Sequence, residues 1–342
     1  MYRKTNLWII SAIMIAILTT GCSSTDATTA TQLSPTATAT PEQLAELTQP
    51  PTPTTTPVPT YPLSLTDMMQ QSIEIATKPS RIVSISPTAT EMLYAVEGVA
   101  IGRDEGSTFS EDVNSLPSVG GAYNPNLEAI VALNPDLILI EALTQGHLTQ
   151  MLSSIQVPIV AVKATSIQDV KDGLTLMGAI TNQKTQAENA IKTLEIKIET
   201  AMKPQRDSHS VLILIADAQH NTYAAMPESY PGEIANSMNL SNVSAGLEQS
   251  GPYPGFTLFS PEQALTSNPD IILAISPAPA PAPKLTTMLP MIPGYNSLSA
   301  LTKGRVAEID PALFLSAPGP RIADAIVALG NILDSMEFSQ EP

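Results

Sequence analysis

The sequence predicts an α/β protein of two Rossmann-like lobes, each built on a parallel sheet, joined by a single long α-helix. Three observations lead there. Short continuous apolar runs bounded by turn residues alternate with segments of helical period, the pattern of strands covered by helices on both faces. That series occurs once before about residue 165 and again after about residue 210, with one long amphipathic stretch between. The segment NLEAIVALNPDLILI, residues 126–140, also returns as SPEQALTSNPDIILA, residues 260–274, at a constant offset of 134 positions. Glu, Asn, Pro, Asp, Ile and Leu match in place, so each copy is read as part of one lobe.

In chain order, residues 1–21 stand apart. Arg3 and Lys4 precede an apolar run from Leu7 to Leu18 and then LTTGC. The apolar run is too short for a comfortable membrane span and fits a leader. The pattern resembles a bacterial lipoprotein signal, in which Cys22 becomes the lipidated first residue of the mature chain, although Thr19 stands where that signal usually has Leu. An uncleaved anchor or an ordinary secretory signal are the alternatives; in each case the body lies outside the cytoplasmic membrane. Cys22 is the chain's only cysteine, so no intramolecular disulfide can form. Residues 22–62 are read as the lipidated cysteine followed by a disordered tether: residues 23–60 hold 13 Thr and 7 Pro. Extended at polyproline rise, such a segment reaches roughly 100 Å. Without residues 1–21 the balance is 14 basic against 32 acidic residues, or −18, which argues against a nucleic-acid partner.

The remaining 280 residues have room for two domains. The N-terminal lobe, residues 63–165, is expected to hold strands at 81–86, 136–141 and 158–162 and helices at 90–96, 127–133 and 147–155. Residues 166–204 form a helical segment. Within it, Ile191, Leu194, Ile198 and Ala201 fall at helical spacing, Glu188 precedes Lys192 by four residues, and Thr185 with Glu188 matches a capping box. An unbroken helix over 183–203 would run about 31 Å. The C-terminal lobe, residues 205–342, is expected to hold strands at 211–216, 270–276 and 305–309 and helices at 231–238, 262–266 and 321–333.

RIVSISPTATEMLYAVEG, LPSVGGAYNPNLEAIVALNPDLILI, SPEQALTSNPDIIL and APGPRIADAI together resemble the extracytoplasmic solute-binding proteins of ABC importers for cobalamin, ferric siderophores and haem. The resemblance covers roughly residues 80–334. It implies two α/β lobes bridged by a long helix with the ligand in the cleft between them. It also implies a small metal-chelate ligand, no resident cofactor, and a permease dimer with its ATPase as partner. The protein is then a monomer held at the membrane, on the cell surface or in the periplasm, by lipid on Cys22. Glutamates at the positions of Glu128 and Glu262 make the salt-bridged permease contact in that family.

Ligands of open parallel sheets bind beyond the carboxyl ends of the strands, which singles out residues 86–90, 103–109, 120–124, 141–147, 216–223, 251–259, 276–284 and 310–318. Tyr2 and Trp8 fall in the leader, leaving 12 of the 14 aromatics. Phe109, Tyr123, Tyr223, Tyr253, Phe256 and Phe314 lie in or beside these loops and outside every expected strand, where they can line a site for a large flat ligand or staple loops to the lobes. Ser86 opens SPTATE, a helix start that could hold an anion but lacks the glycines a nucleotide needs. Arg103 is a candidate ligand-facing cation. Arg321 precedes a helix start, where the dipole disfavours a cation; a ligand anion or a carboxylate of the same lobe is expected to compensate. His147, His209 and His220 show no HxH or HxxxH spacing, and no metal site is expected. Nothing matches GxSxG, Walker A, GxGxxG or HExxH. The chain is therefore read as a binding protein and not an enzyme. A chelatase-like enzyme and a surface signalling lipoprotein are the competing classes.

Overall fold

The computed structural model describes residues 61–202, 207–278, 281–316 and 318–336; the leader, Cys22 and the tether up to residue 60 lie outside the described residues. The N-terminal lobe opens with a hairpin, β1 (Leu63–Thr66) against β2 (Ser72–Ile75). The buried Asp67 in its turn accepts the Ala161 amide at 3.1 Å and so ties the hairpin to the lobe. Then follow β3 (Ile82–Ser84), α1 (Pro87–Ala95), β4 (Gly102–Arg103), β5 (Gly120–Gly121), β6 (Asn124–Pro125), α2 (Leu127–Ala132), β7 (Leu137–Glu141) and β8 (Ile159–Val162). The sheet runs β4-β3-β7-β8 and is parallel throughout. The helix expected over 147–155 is instead a string of single turns. Ser153 and Ser154 turn their hydroxyls back onto the carbonyls of Gln150 and Met151, a competition that shortens helices.

Two helices lead towards the second lobe. In α3 (Ile167–Thr181), Ser166 caps the start and Asn182 ends it in the left-handed region at φ 57°. That turn fixes where α4 (Lys184–Ala201) begins. Gln183 takes the cap position without a side-chain hydrogen bond, and Thr185 and Glu188 lie inside the helix, so the expected capping box does not form. Ala187, Leu194 and Ile198 are buried along α4, with Ile191 and Ala201 packed beside them.

The C-terminal lobe contains β9 (His209–Ala216), β10 (Thr222–Ala225), α5 (Tyr230–Ser237), β11 (Leu240–Asn242), β12 (Phe256–Leu258), α6 (Pro261–Ser267), β13 (Ile271–Ile275), β14 (Val306–Ile309) and α7 (Ile322–Ser335). Its sheet runs β12-β10-β9-β13-β14, with β11 also on β9. It is mixed: β9, β11, β13 and β14 are parallel, while β10 runs antiparallel to both of its neighbours, β9 and β12. The short 217–221 turn, closed by Asp217 on the amides of Gln219 and Asn221 at 2.9 Å each, leaves no room for a crossover, so β10 must return antiparallel.

One core cluster runs from Ile82 and Met92 through Leu174, Leu194 and Ile198 to Val211, Ile234 and Leu329. The long helix is thus sandwiched between lobes that share an apolar seam, at about 1.5–3 kcal/mol per fully buried large side chain. The repeated segment performs the same local work twice. Asn126 and Ser260 cap α2 and α6. Asn134 and Asn268 end them in the left-handed region at φ 46° and 39°, and Pro135 and Pro269 bar continuation. Asp136 then accepts the Ser80 amide at 2.8 Å and Asp270 the Ser210 amide at 2.9 Å, fixing the two central strands of each lobe at their starts.

Candidate functional site

The carboxyl ends of β3, β4, β7 and β8 in one lobe, and of β9, β13 and β14 in the other, lead into the loops that define the site. A partly buried ion pair joins the lobes there. Arg321 donates from Nε to Glu91 Oε2 at 2.8 Å and from Nη2 to Oε1 at 2.5 Å. Burial pushes the Glu91 carboxyl up, and the bonds from Arg321 work against it. The guanidinium is raised by the same hydrogen bonds. The compensating anion of Arg321 is therefore internal and belongs to the opposite lobe, not to the same lobe or to a ligand. Glu91 is the one acid among the buried residues of α1, so its counter-charge has to come from another element.

Several expected contacts turn inward. Arg103 is 9% exposed and all five of its N–H groups are occupied: Val113 O, Asp104 O, Glu105 O, Asn114 O and Asn114 Oδ1 accept them at 2.8–3.2 Å. It organises the loop after β4 and has no donor left for a ligand. Ser86 is buried as the N-cap of α1. Around it, Thr90 Oγ1 donates to the Ser86 carbonyl at 2.8 Å and lies within hydrogen-bond distance of Ser84 Oγ, also at 2.8 Å, and Ser107 bonds Asp104. Burial raises the Asp104 carboxyl against those bonds. Phe314 is 1% exposed and Phe256 4% exposed; both are core residues, Phe256 within β12. Tyr223 lies in β10, buried, its hydroxyl donating to Asp217 Oδ2 at 3.0 Å. Placing every candidate aromatic outside the strands is thus incorrect for Tyr223 and Phe256, whose strands are only four and three residues long.

Three of the candidate aromatics keep an accessible face. Phe109 is 37% exposed and meets Tyr94 edge-on at 5.8 Å. Tyr123 is 72% exposed at the tip of the β5–β6 hairpin. That hairpin is pinned by Gln145, a fully buried residue the sequence does not single out, whose amide donates to Ile85 O at 2.6 Å and Ala122 O at 2.7 Å. On the second lobe, half-buried Tyr253 packs edge-to-face on Tyr223 at 5.0 Å. Phe109 and Tyr123 thus belong to one lobe and Tyr253 to the other.

His147 and His220 are exposed, and among the described residues no group of three or more His, Cys, Asp or Glu is arranged to hold a metal ion. No described helix is long and apolar enough to cross a membrane. Glu128 and Glu262 are exposed in the first turns of α2 and α6. The Glu262 carboxyl is held below its ordinary value by its own amide and by Ser260.

Known proteins share this architecture. The uncharacterized ABC transporter substrate-binding lipoprotein YvrC of Bacillus subtilis is 22% identical over 82% of this chain and 88% of its own length. A cobalamin-binding protein of Halobacterium salinarum is 21% identical over 79% of this chain and 74% of its own. Among solved structures, an ABC-type Fe3+-hydroxamate transport system protein from Saccharomonospora viridis covers 81% of this chain and all of its own, with a TM-score of 0.66 at 17% identity, a likeness of fold. The model of the periplasmic binding protein family matches residues 82–313, more than half of the sequence, and the chain belongs to that family.

Proposed function

We propose that the protein captures a metal chelate, a ferric siderophore or cobalamin, between its lobes and delivers it to the permease of an ABC importer. Haem is the alternative chelate. As a periplasmic binding protein the chain is a transport component and not an enzyme. The observation that carries the ligand class is that Phe109, Tyr123 and Tyr253 keep accessible faces in loops of the two lobes, whereas Tyr223, Phe256 and Phe314 are buried. Flat aromatic faces on both sides suit a rigid, extended, partly apolar ligand. Titrating the purified protein with cyanocobalamin, a ferric hydroxamate siderophore and haemin, read by quenching of tyrosine fluorescence and by native mass spectrometry, tests the proposal. Saturable 1:1 binding of one of them is expected; binding of none would overturn it.

Truncating the accessible aromatics should separate affinity from stability. Tyr123→Ala is expected to leave the melting temperature unchanged and to weaken chelate binding by about 1–3 kcal/mol. Tyr253→Ala should weaken binding similarly and also lose the edge contact with Tyr223, worth about 0.5–1.5 kcal/mol of stability. Unaltered affinity in the double variant would move the site elsewhere.

The anchor belongs to the same proposal. Lipid on Cys22 and a long tether would keep the protein at the membrane while letting it reorient over its permease. Cys22→Ser is expected to release the protein into the soluble extracytoplasmic fraction with its fold unchanged. Equal membrane partitioning of variant and wild type in detergent-free fractionation would refute lipidation.

A further inference from the structure

Two donors and one acceptor meet three backbone groups at Gln145. Its Oε1 accepts the Glu141 amide at 2.7 Å, while Nε2 donates to Ile85 O at 2.6 Å and Ala122 O at 2.7 Å. Ile85 directly follows β3 and Glu141 ends β7, the paired central strands of the N-terminal sheet. The side-chain amide therefore lies across the carboxyl ends of two parallel strands, where open sheets bind their ligands. Its third bond leaves the sheet and reaches the tip of the β5–β6 hairpin. That hairpin is poorly equipped to hold its own shape. Each strand is two residues long and β5 is Gly120–Gly121, whereas even longer isolated hairpins are marginal and glycine adds freedom. Its base is fixed by Asn126 N–H on Val119 O at 2.7 Å and Glu105 N–H on Gly120 O at 2.9 Å. Among the described residues, the bond from Gln145 is the one hydrogen bond that reaches residues 121–124 from outside the hairpin. Next to Ala122 in that tip stands Tyr123, 72% exposed.

We infer that Gln145 is a positioning residue for ligand capture: its amide holds the Tyr123 tip in a fixed place over the carboxyl ends of β3 and β7. This rests on the chelate-capture reading above and names the residue that prepares one wall of that site. The chemistry of the position is exacting. Two carbonyls need two N–H donors and the Glu141 amide needs an acceptor, a set that a neutral carboxamide supplies and that Glu, Lys or Met does not. A role confined to the interior of the lobe would be met by the bonds to Ile85 and Glu141. The bond to Ala122 adds nothing to the sheet and acts on the tip alone. A tyrosine carried on a free two-residue loop would give up that freedom when a ligand binds, at a cost in affinity. The clamp removes the freedom beforehand.

The test is a double-mutant cycle in the full chain, Gln145→Met against Tyr123→Ala, titrated with cyanocobalamin, a ferric hydroxamate siderophore and haemin. Melting falls in Gln145→Met whether the residue positions Tyr123 or only braces the lobe, so affinity and local exchange decide. For the chelate that binds wild type, the Kd of Gln145→Met is expected to rise about fivefold or more. The double variant should bind within about twofold of Tyr123→Ala, because a clamp has nothing to position once the ring is gone. In the ligand-free protein, the amides of residues 122–124 should exchange about tenfold faster in Gln145→Met, with those of β8 unchanged. If Gln145→Met does not fold, insertion of one alanine between Ala122 and Tyr123 carries the test. It leaves the bonds to Ile85 and Glu141 in place, moves Tyr123 off the clamp, and should cost the same factor in Kd. Affinity within about twofold of wild type in either variant overturns the inference, as do losses that add in the cycle or exchange at the tip that does not change. In those cases the transport reading stands. If wild type binds none of the three chelates, both fall.

Discussion

Reversing both repeated acids, Glu128→Lys with Glu262→Lys, is expected to abolish ligand delivery while leaving chelate affinity at its wild-type value. Both side chains are exposed on the first turns of α2 and α6, and neither contributes to the core. Their local role is modest. Each sits near the positive end of a short helix, and Glu262 is further held in its charged form by backbone and Ser260 hydrogen bonds. Losing that costs little stability, because Asn126 and Ser260 still cap the helices. The proposed permease contact is different in scale. Two lysines facing a surface selected for two acids set like charges together, and docking should fall on the order of 1,000-fold. Single reversals should lie between, because the two contacts share one binding event. Uptake of labelled ligand into vesicles, measured beside equilibrium binding to the free protein, decides the matter. Normal uptake by the double variant would leave the acids as helix-end charges only.

What the sequence made legible was local. The repeated Asn–Pro–Asp encodes a left-handed helix end, a block to continuation and a clamp on the neighbouring strand, all within a few residues, and the structure uses it so in both lobes. The long helix was legible through Leu194 and Ile198, whose spacing survives any detail of its ends. Which way a loop residue faces was not legible. Ser86, Arg103, Phe256 and Phe314 sit at or near strand ends, as a ligand contact should, yet each turns inward. For Arg103 the cause is five carbonyl oxygens from chain segments that fold back over it, a cage no spacing rule encodes. β10 and β12 were missed because a three- or four-residue run such as TYAA is too short for alternation to show. Glu91 and Arg321 are 230 positions apart, so only the misfit of each on its own helix hinted that it had a partner.

That pair supports the second large effect. Arg321→Met is expected to destabilise the protein by about 2–4 kcal/mol at neutral pH, somewhat under the 3–5 kcal/mol typical when one member of a fully buried pair is removed. The discount follows from exposure: the Arg321 side chain keeps 32% of its surface, whereas that of Glu91 keeps 5%. Without the guanidinium, a buried carboxylate has no counter-charge. Burial already raises the Glu91 carboxyl above its ordinary value with Arg321 present, and removing Arg321 raises it further. An acid whose folded pKa is raised stabilises the fold at pH below its unfolded value, and that contribution disappears as pH rises through the folded value. The deficit of Arg321→Met relative to wild type should therefore be greatest at neutral pH and shrink on acidification towards the ordinary glutamate range. Glu91→Gln combined with Arg321→Met removes both charges and should recover most of the loss. Because the pair spans the lobes, the single variant should also speed amide exchange in α1 and α7 before the strands of either sheet. Urea denaturation at pH 7 and pH 5, with hydrogen exchange on the same samples, provides the measurement. A deficit that does not change with pH would mean that Arg321 acts through packing of its stem and that the two lobes are held together by their apolar seam alone.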